Sequence, residues 1–131
     1  MKTRRLGNTD LDFTTIGIGT WAIGGGDWKF GWGQQDENDA VDAIVHGIAN
    51  GINWIDTAAV YGDGRSEELV GKALQKIPSA ARPFVATKCG RIVQPDGSIL
   101  ANISHDSIFA ECEASLRRLN VDCIDLYQIH W

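Results

Sequence analysis

Ile52-Asn53-Trp54-Ile55-Asp56-Thr57-Ala58, then Ser66-Glu67-Glu68-Leu69-Val70-Gly71-Lys72-Ala73-Leu74, then Phe84-Val85-Ala86-Thr87-Lys88 are the stretches that decide the fold. The outer two are short and largely apolar along their length, without alternation, which marks strands covered on both faces as in a parallel sheet. Between them Leu69, Val70, Ala73, Leu74 and Ile77 recur at helical period. Ser66 is placed to cap that helix, Glu67 and Glu68 to sit in its first turn, and Pro78 lies beyond its end.

The same alternation extends outward. Asp36 to Asn50 predicts a helix with Ala40, Val41, Ala43, Ile44 and Ile48 on one stripe and Gly51 at its C-terminal cap. A helix from a Ser104 cap turns Ile108, Cys112, Ser115, Leu116 and Leu119 inward and ends at Asn120. Thr15–Thr20 and Ile124–His130 read as strands, and Pro95-Asp96-Gly97 as a turn. At the start, Gly7-Asn8-Thr9-Asp10 between two short segments signals a hairpin over residues 1–14. The chain is therefore an α/β domain, a hairpin followed by β-α-β-α-β-α-β. A barrel and a doubly wound sheet both fit this order.

Composition narrows the function. A length of 131 residues, 44% hydrophobic and 22% charged, is that of one globular domain, and a net charge of -5 with scattered Lys and Arg argues against nucleic acid. Nothing approaches the ~20 apolar residues of a membrane span, so a cytoplasmic protein is expected. Cys89, Cys112 and Cys123 match neither a metal motif nor a disulfide framework and are expected to be reduced thiols; no metal site is predicted. His46 and His105 are expected at the surface.

Gly17-Ile18-Gly19-Thr20-Trp21-Ala22 satisfies a dinucleotide-binding pattern but fails on context. The third small residue should open a helix, and here it leads into a loop with five glycines between Gly24 and Gly33. More telling are Asp56, Lys88 and His130, each at the C-terminal end of an apolar run. In a (β/α) barrel the site is assembled at that face from several strands. Tyr61, five residues past Asp56, can fold over the same mouth. A phenol, with reference pKa of about 10, is a poor acid at neutral pH unless a cation favours its phenolate, and Lys88 can supply that charge. Asp56 would hold the ammonium in place. His130 would hydrogen-bond a substrate carbonyl. The expected chemistry is carbonyl reduction assisted by a general acid.

These residues resemble those of the aldo-keto reductases. Ile52 to Gly62, followed by Gly64-Arg65-Ser66-Glu67-Glu68, resembles that family's first signature. Val85-Ala86-Thr87-Lys88 resembles its lysine strand, and Asp125-Leu126-Tyr127-Gln128-Ile129-His130-Trp131 its histidine strand. The opening hairpin resembles the one that closes the bottom of the family's barrel. The resemblance implies the N-terminal half of a (β/α)8 TIM-type barrel with Asp56, Tyr61, Lys88 and His130 as a catalytic tetrad. It implies NADPH as cofactor, NADH being the alternative, with Gly19, Thr20, Trp21 and Asp56 beside it. It implies a small-molecule carbonyl substrate, aldehyde, ketone or sugar, against Trp21, Trp28, Trp32 and His130, although loop aromatics such as Trp28, Phe30 and Trp32 also serve simple packing. Other readings remain: a non-catalytic, cofactor-binding partner of the channel β-subunit type, a Schiff-base aldolase using Lys88, and an inactive half barrel that self-associates through exposed strand edges.

Overall fold

A computed structural model describes residues 1–26 and 31–131. The opening hairpin pairs β1 (Thr3–Arg5) antiparallel to β2 (Asp12–Thr14). A central parallel sheet follows the chain order: β3 (Ile18–Gly19), β4 (Trp54–Asp56), β5 (Phe84–Cys89) and, last in the chain, β8 (Leu126–Ile129). The intervening helices are α1 (Glu37–Ala49), α2 (Arg65–Lys76) and α3 (His105–Leu119). Between β5 and α3 lies a second antiparallel hairpin, β6 (Arg91–Val93) with β7 (Ile99–Ala101).

Strand order resolves the choice of architecture. A doubly wound sheet reverses its order at a switch point and carries helices on both faces. Here the order is sequential, and α1 packs on α2 and α2 on α3, so all three helices cover one face. That is the arrangement of a (β/α) barrel wall, with four of its eight strands present.

Burial follows the pleat. On the helix side Ile55 and Val85 are fully buried with Ile44, Leu69, Val70, Ala73 and Leu119. Each such Leu, Ile or Val contributes roughly 1.5–3 kcal/mol on leaving water. On the opposite face the register aligns Gly19 with Asp56, Asp56 with Ala86, and Lys88 with Gln128. The small and polar residues there form the barrel-side surface. At its floor the hairpin contributes Phe13, stacked on Trp54 at 5.0 Å between ring centroids and tilted against Phe84 at 5.5 Å. Asn53 ties that floor together: its side chain accepts from the Thr14 amide at 2.8 Å and donates to the Asp12 carbonyl at 2.8 Å.

Several local expectations change. Three of the four sheet strands are shorter than the apolar runs that announce them, because the run ends carry the chain into loops, whereas β5 extends past its run through Lys88 to Cys89. Ala43 faces solvent, outside the inner stripe of α1. Ile108, Cys112 and Leu116 of α3 are only half-buried, since α3 packs on α2 along one side. The β6–β7 hairpin was not expected from sequence; its strands are three residues long, too short to show alternation. Ser66 is not the cap of α2. Gly64, at φ 91°, occupies that position, where a Cβ would meet the Arg118 side chain at 2.6 Å. By contrast Asp36 and Ser104 cap α1 and α3 through their side chains. The thiols are free, with Cys89 buried and Cys123 exposed, and burial pushes the Cys112 thiol up. His46 and His105 are exposed.

Candidate active site

At the C-terminal ends of the strands, Lys88 reaches across from β5 to β4. Its ammonium donates to Asp56 Oδ2 at 2.9 Å, to the Thr57 carbonyl at 2.8 Å and to the Tyr61 phenol oxygen at 3.5 Å. An ammonium has three donors and no acceptor, so these three partners fix its rotation. The last contact is long for a hydrogen bond and acts mainly as a charge–dipole attraction. Its polarity matters, because the phenol oxygen accepts from Lys88 and the phenol's own proton is directed elsewhere. Lys88 is 12% exposed and Asp56 32% at the side chain, so the pair is screened less than a surface ion pair.

Tyr61 is held by the loop that follows β4. Gly62 and Gly24 approach backbone to backbone: a Cβ on Gly24 would lie 2.9 Å from the Gly62 nitrogen, which only glycine at both positions permits. Gly24 is thereby held against the Tyr61 carbonyl. Across the mouth the His130 ring stands edge-on to Tyr61, with centroids 5.6 Å apart.

Burial, then Lys88 and then Arg91 push His130 down from 6.5 to about 4. The ring is neutral at pH 7 and carries one N–H. Nδ1 is buried and has no hydrogen-bond partner among the described residues. A buried N–H without an acceptor is costly, so we assign the proton to Nε2. The sign of the linked stability follows. Between pH 6.5 and about 4 the unfolded chain takes up a proton that the folded chain refuses, so this contribution is complete above 6.5 and is lost as pH falls towards 4. His130→Asn is expected to flatten that part of the curve in thermal melts across the interval. An unchanged slope would mean that His130 is not the group that titrates.

Asp56, Tyr61, Lys88 and His130 thus converge as the sequence predicts. Gly19 ends β3 beside Asp56 with open space above its Cα. Trp21 and Trp32 form a tilted pair at 6.0 Å, 44% and 72% exposed at the rim. Trp28 and Phe30 lie outside the described residues. Thr20 departs from expectation. Its side chain is turned into the helix layer and 1% exposed, its hydroxyl donating to the Asp56 carbonyl at 3.0 Å, so it offers a cofactor no surface.

Two residues at or behind the mouth were not singled out from sequence as part of the site. Arg91 donates to the carbonyls of His130 and Trp131 and lies over the Trp131 ring at 4.7 Å. No pattern in the sequence marks it. Glu67 is completely buried, accepting from Thr87 Oγ1 at 2.5 Å and from Arg118 Nε at 2.6 Å. A signal for it exists: Glu67 lies three and seven residues before Val70 and Leu74, on the apolar stripe of its own helix.

Taken together, sequential parallel strands under one helix layer, with carboxylate, ammonium, phenol and imidazole near their C-terminal ends, define the wall of a (β/α) barrel. The chain belongs to the aldo/keto reductase family, whose model matches residues 15–131. It is 43% identical over its whole length to the NADH-specific methylglyoxal reductase of Escherichia coli, of which it covers 42%. An aldo-keto reductase of Bacillus subtilis is 38% identical, again over the whole chain and 38% of the relative. Among solved structures, a glycerol dehydrogenase from Gluconobacter oxydans superposes with TM-score 0.83 at 41% identity, over 99% of this chain and 39% of that one. An aldo-keto reductase from Klebsiella pneumoniae in complex with NADPH superposes with TM-score 0.74 at 32% identity, over 99% of this chain and 39% of that one. The chain therefore spans about two-fifths of the length of these relatives.

Proposed function

We propose that this chain supplies the carbonyl-reducing site of a nicotinamide-dependent oxidoreductase acting on aldehydes and ketones, sugars among them. The observation that carries the reading is the Lys88 ammonium held between the Asp56 carboxylate and the Tyr61 phenol, with a neutral His130 ring opposite. The residues fit the reacting end of a nicotinamide: open space above Gly19, the exposed indole of Trp21, and the Asp56 carboxylate form one ledge at the end of β3 and β4. When bound, the reduced nicotinamide supplies a hydride to the carbonyl carbon. His130 Nε2–H orients the substrate by donating to the carbonyl oxygen, and Tyr61 passes its proton to that oxygen as negative charge develops there. Lys88 stabilises the phenolate left behind, Asp56 holds Lys88 in place, and water restores the phenol proton. Trp21 and Trp32 offer apolar rim surface to the substrate's remaining carbons.

NADPH and NADH are both candidates, the latter because the Escherichia coli relative is named for it. The aldolase reading is weaker: all three donors of the Lys88 ammonium are engaged by acceptors, and a Schiff base requires a lone pair aimed at the substrate. To test the proposal, residues 1–131 are joined to the second half of the Escherichia coli relative so that the barrel is complete. Oxidation of NADH and NADPH is then followed with methylglyoxal and with glyceraldehyde. Carbonyl-dependent oxidation is expected. A folded chimera that binds the nicotinamide and oxidises none of it would favour the non-catalytic partner reading instead.

A further inference from the structure

Three threonines flank site residues in the sequence: Thr20 follows Gly19, Thr57 follows Asp56, and Thr87 precedes Lys88. All three are buried, at 1%, 0% and 0% exposure, with hydroxyls on the helix side of the sheet. Two consecutive residues of α2 receive them. Ser66 Oγ lies 3.1 Å from Thr57 Oγ1, and 2.8 Å from both the hydroxyl and the carbonyl oxygen of Thr20. Glu67 accepts from Thr87 at 2.5 Å, and Arg118 of α3 holds the other carboxylate oxygen at 2.6 Å.

The protons can be counted along this path. Thr57 donates to Ser66, Ser66 to Thr20, and Thr20 to the Asp56 carbonyl at 3.0 Å, so every hydroxyl has a partner. The Ser66 amide also donates to the Tyr61 carbonyl at 3.2 Å. One helical turn thus grips the ends of β3, β4 and β5 and the Tyr61 loop from behind, while Lys88, Asp56 and Tyr61 meet in front. Ordinary packing does not require this, since apolar residues at these positions would seal the same layer without fixing its register to a fraction of an ångström.

We infer that Ser66 and Glu67 form a positioning hub that, through Thr57 and Thr87, sets the distances among Lys88, Asp56 and Tyr61. They act through those residues and touch no ligand. The kinetic arm of the test rests on the reductase reading; the spectroscopic arm does not, so the two can fail separately. In the 131-residue chain the Lys88 ammonium, caged by three acceptors, should give a slowly exchanging 15Nζ signal. Thr87→Val leaves a Glu67 oxygen without its donor and should abolish that signal, whereas Thr87→Ser should retain it. Ser66→Ala is the second variant, should Thr87→Val not fold, and is expected to weaken the same signal. In the completed barrel Thr87→Val should lower kcat about 100-fold, the scale of a misplaced catalytic group, with KM little changed, and Thr87→Ser should restore it. Folded Thr87→Val and Ser66→Ala proteins that keep both the Lys88 signal and kcat, and lose only thermal stability, would overturn the inference.

Discussion

Tyr61→Phe is expected to lower kcat/KM for carbonyl reduction by the completed barrel by about 10²–10⁴-fold, the usual contribution of a positioned general acid. The change removes one oxygen and keeps the ring, so the edge-on contact with His130 at 5.6 Å survives and the mouth keeps its shape. The groups left facing the carbonyl oxygen are the neutral His130, which donates a hydrogen bond but is a poor proton source, and solvent. Lys88 keeps Asp56 and the Thr57 carbonyl, so its placement should persist. Nicotinamide affinity, read by quenching of tryptophan fluorescence, should therefore change little while turnover collapses. Activity within a few-fold of the parent would remove Tyr61 from the acid's role and return that role to His130 or water.

Glu67→Ala is expected to destabilise the fold by about 3 kcal/mol, at the lower end for breaking a buried ion pair. The Glu67 side chain is fully buried and Arg118 is 25% exposed, so the orphaned guanidinium regains some solvent and the full range is not reached. Thr87 also loses its acceptor inside the helix–sheet layer, which adds to the cost. In a domain of this size the shift in Tm should be roughly 10 °C. Lys72→Ala makes a useful contrast. Its 2.7 Å pair with Glu37 lies in solvent at the surface, and its loss should cost far less than that of the Glu67 pair. Urea denaturation of both variants compares them directly; equal losses would mean that burial of the Glu67 pair has been misjudged.

Much of the fold was legible because it is written in local patterns. The stripe Leu69, Val70, Ala73, Leu74 is a helix face wherever it occurs, and the Ser104 cap acts within three residues of itself. The sheet strands were found from apolar runs, though the lengths of all but β5 were overestimated: a run such as Ile52–Ala58 includes Ile52 and Ala58, which pack without joining the ladder. Ser66 shows where local reasoning fails. A serine before two glutamates reads as a cap, yet its partners are Thr20 and Thr57, 46 and 9 residues away in the sequence. Glu67 fails in the same way. A helix dipole explains an acidic first turn and so conceals that this carboxylate is needed by Arg118, 51 residues away.

By itself the sequence pointed to the main strands and helices and to Asp56, Tyr61, Lys88 and His130 as polar residues gathered near the strand ends, because residue type and position along an apolar run are local properties. Element order alone fitted both a barrel wall and a doubly wound sheet; the family resemblance implied the barrel, and the tertiary structure bears it out through which strands are neighbours. It alone turned Thr20 away from the mouth, left His130 neutral between two cations, and joined Ser66 and Glu67 to the strands behind the site. Those outcomes depend on distances between residues remote in the chain, and pairing, burial and charge coupling exist only once the chain has folded.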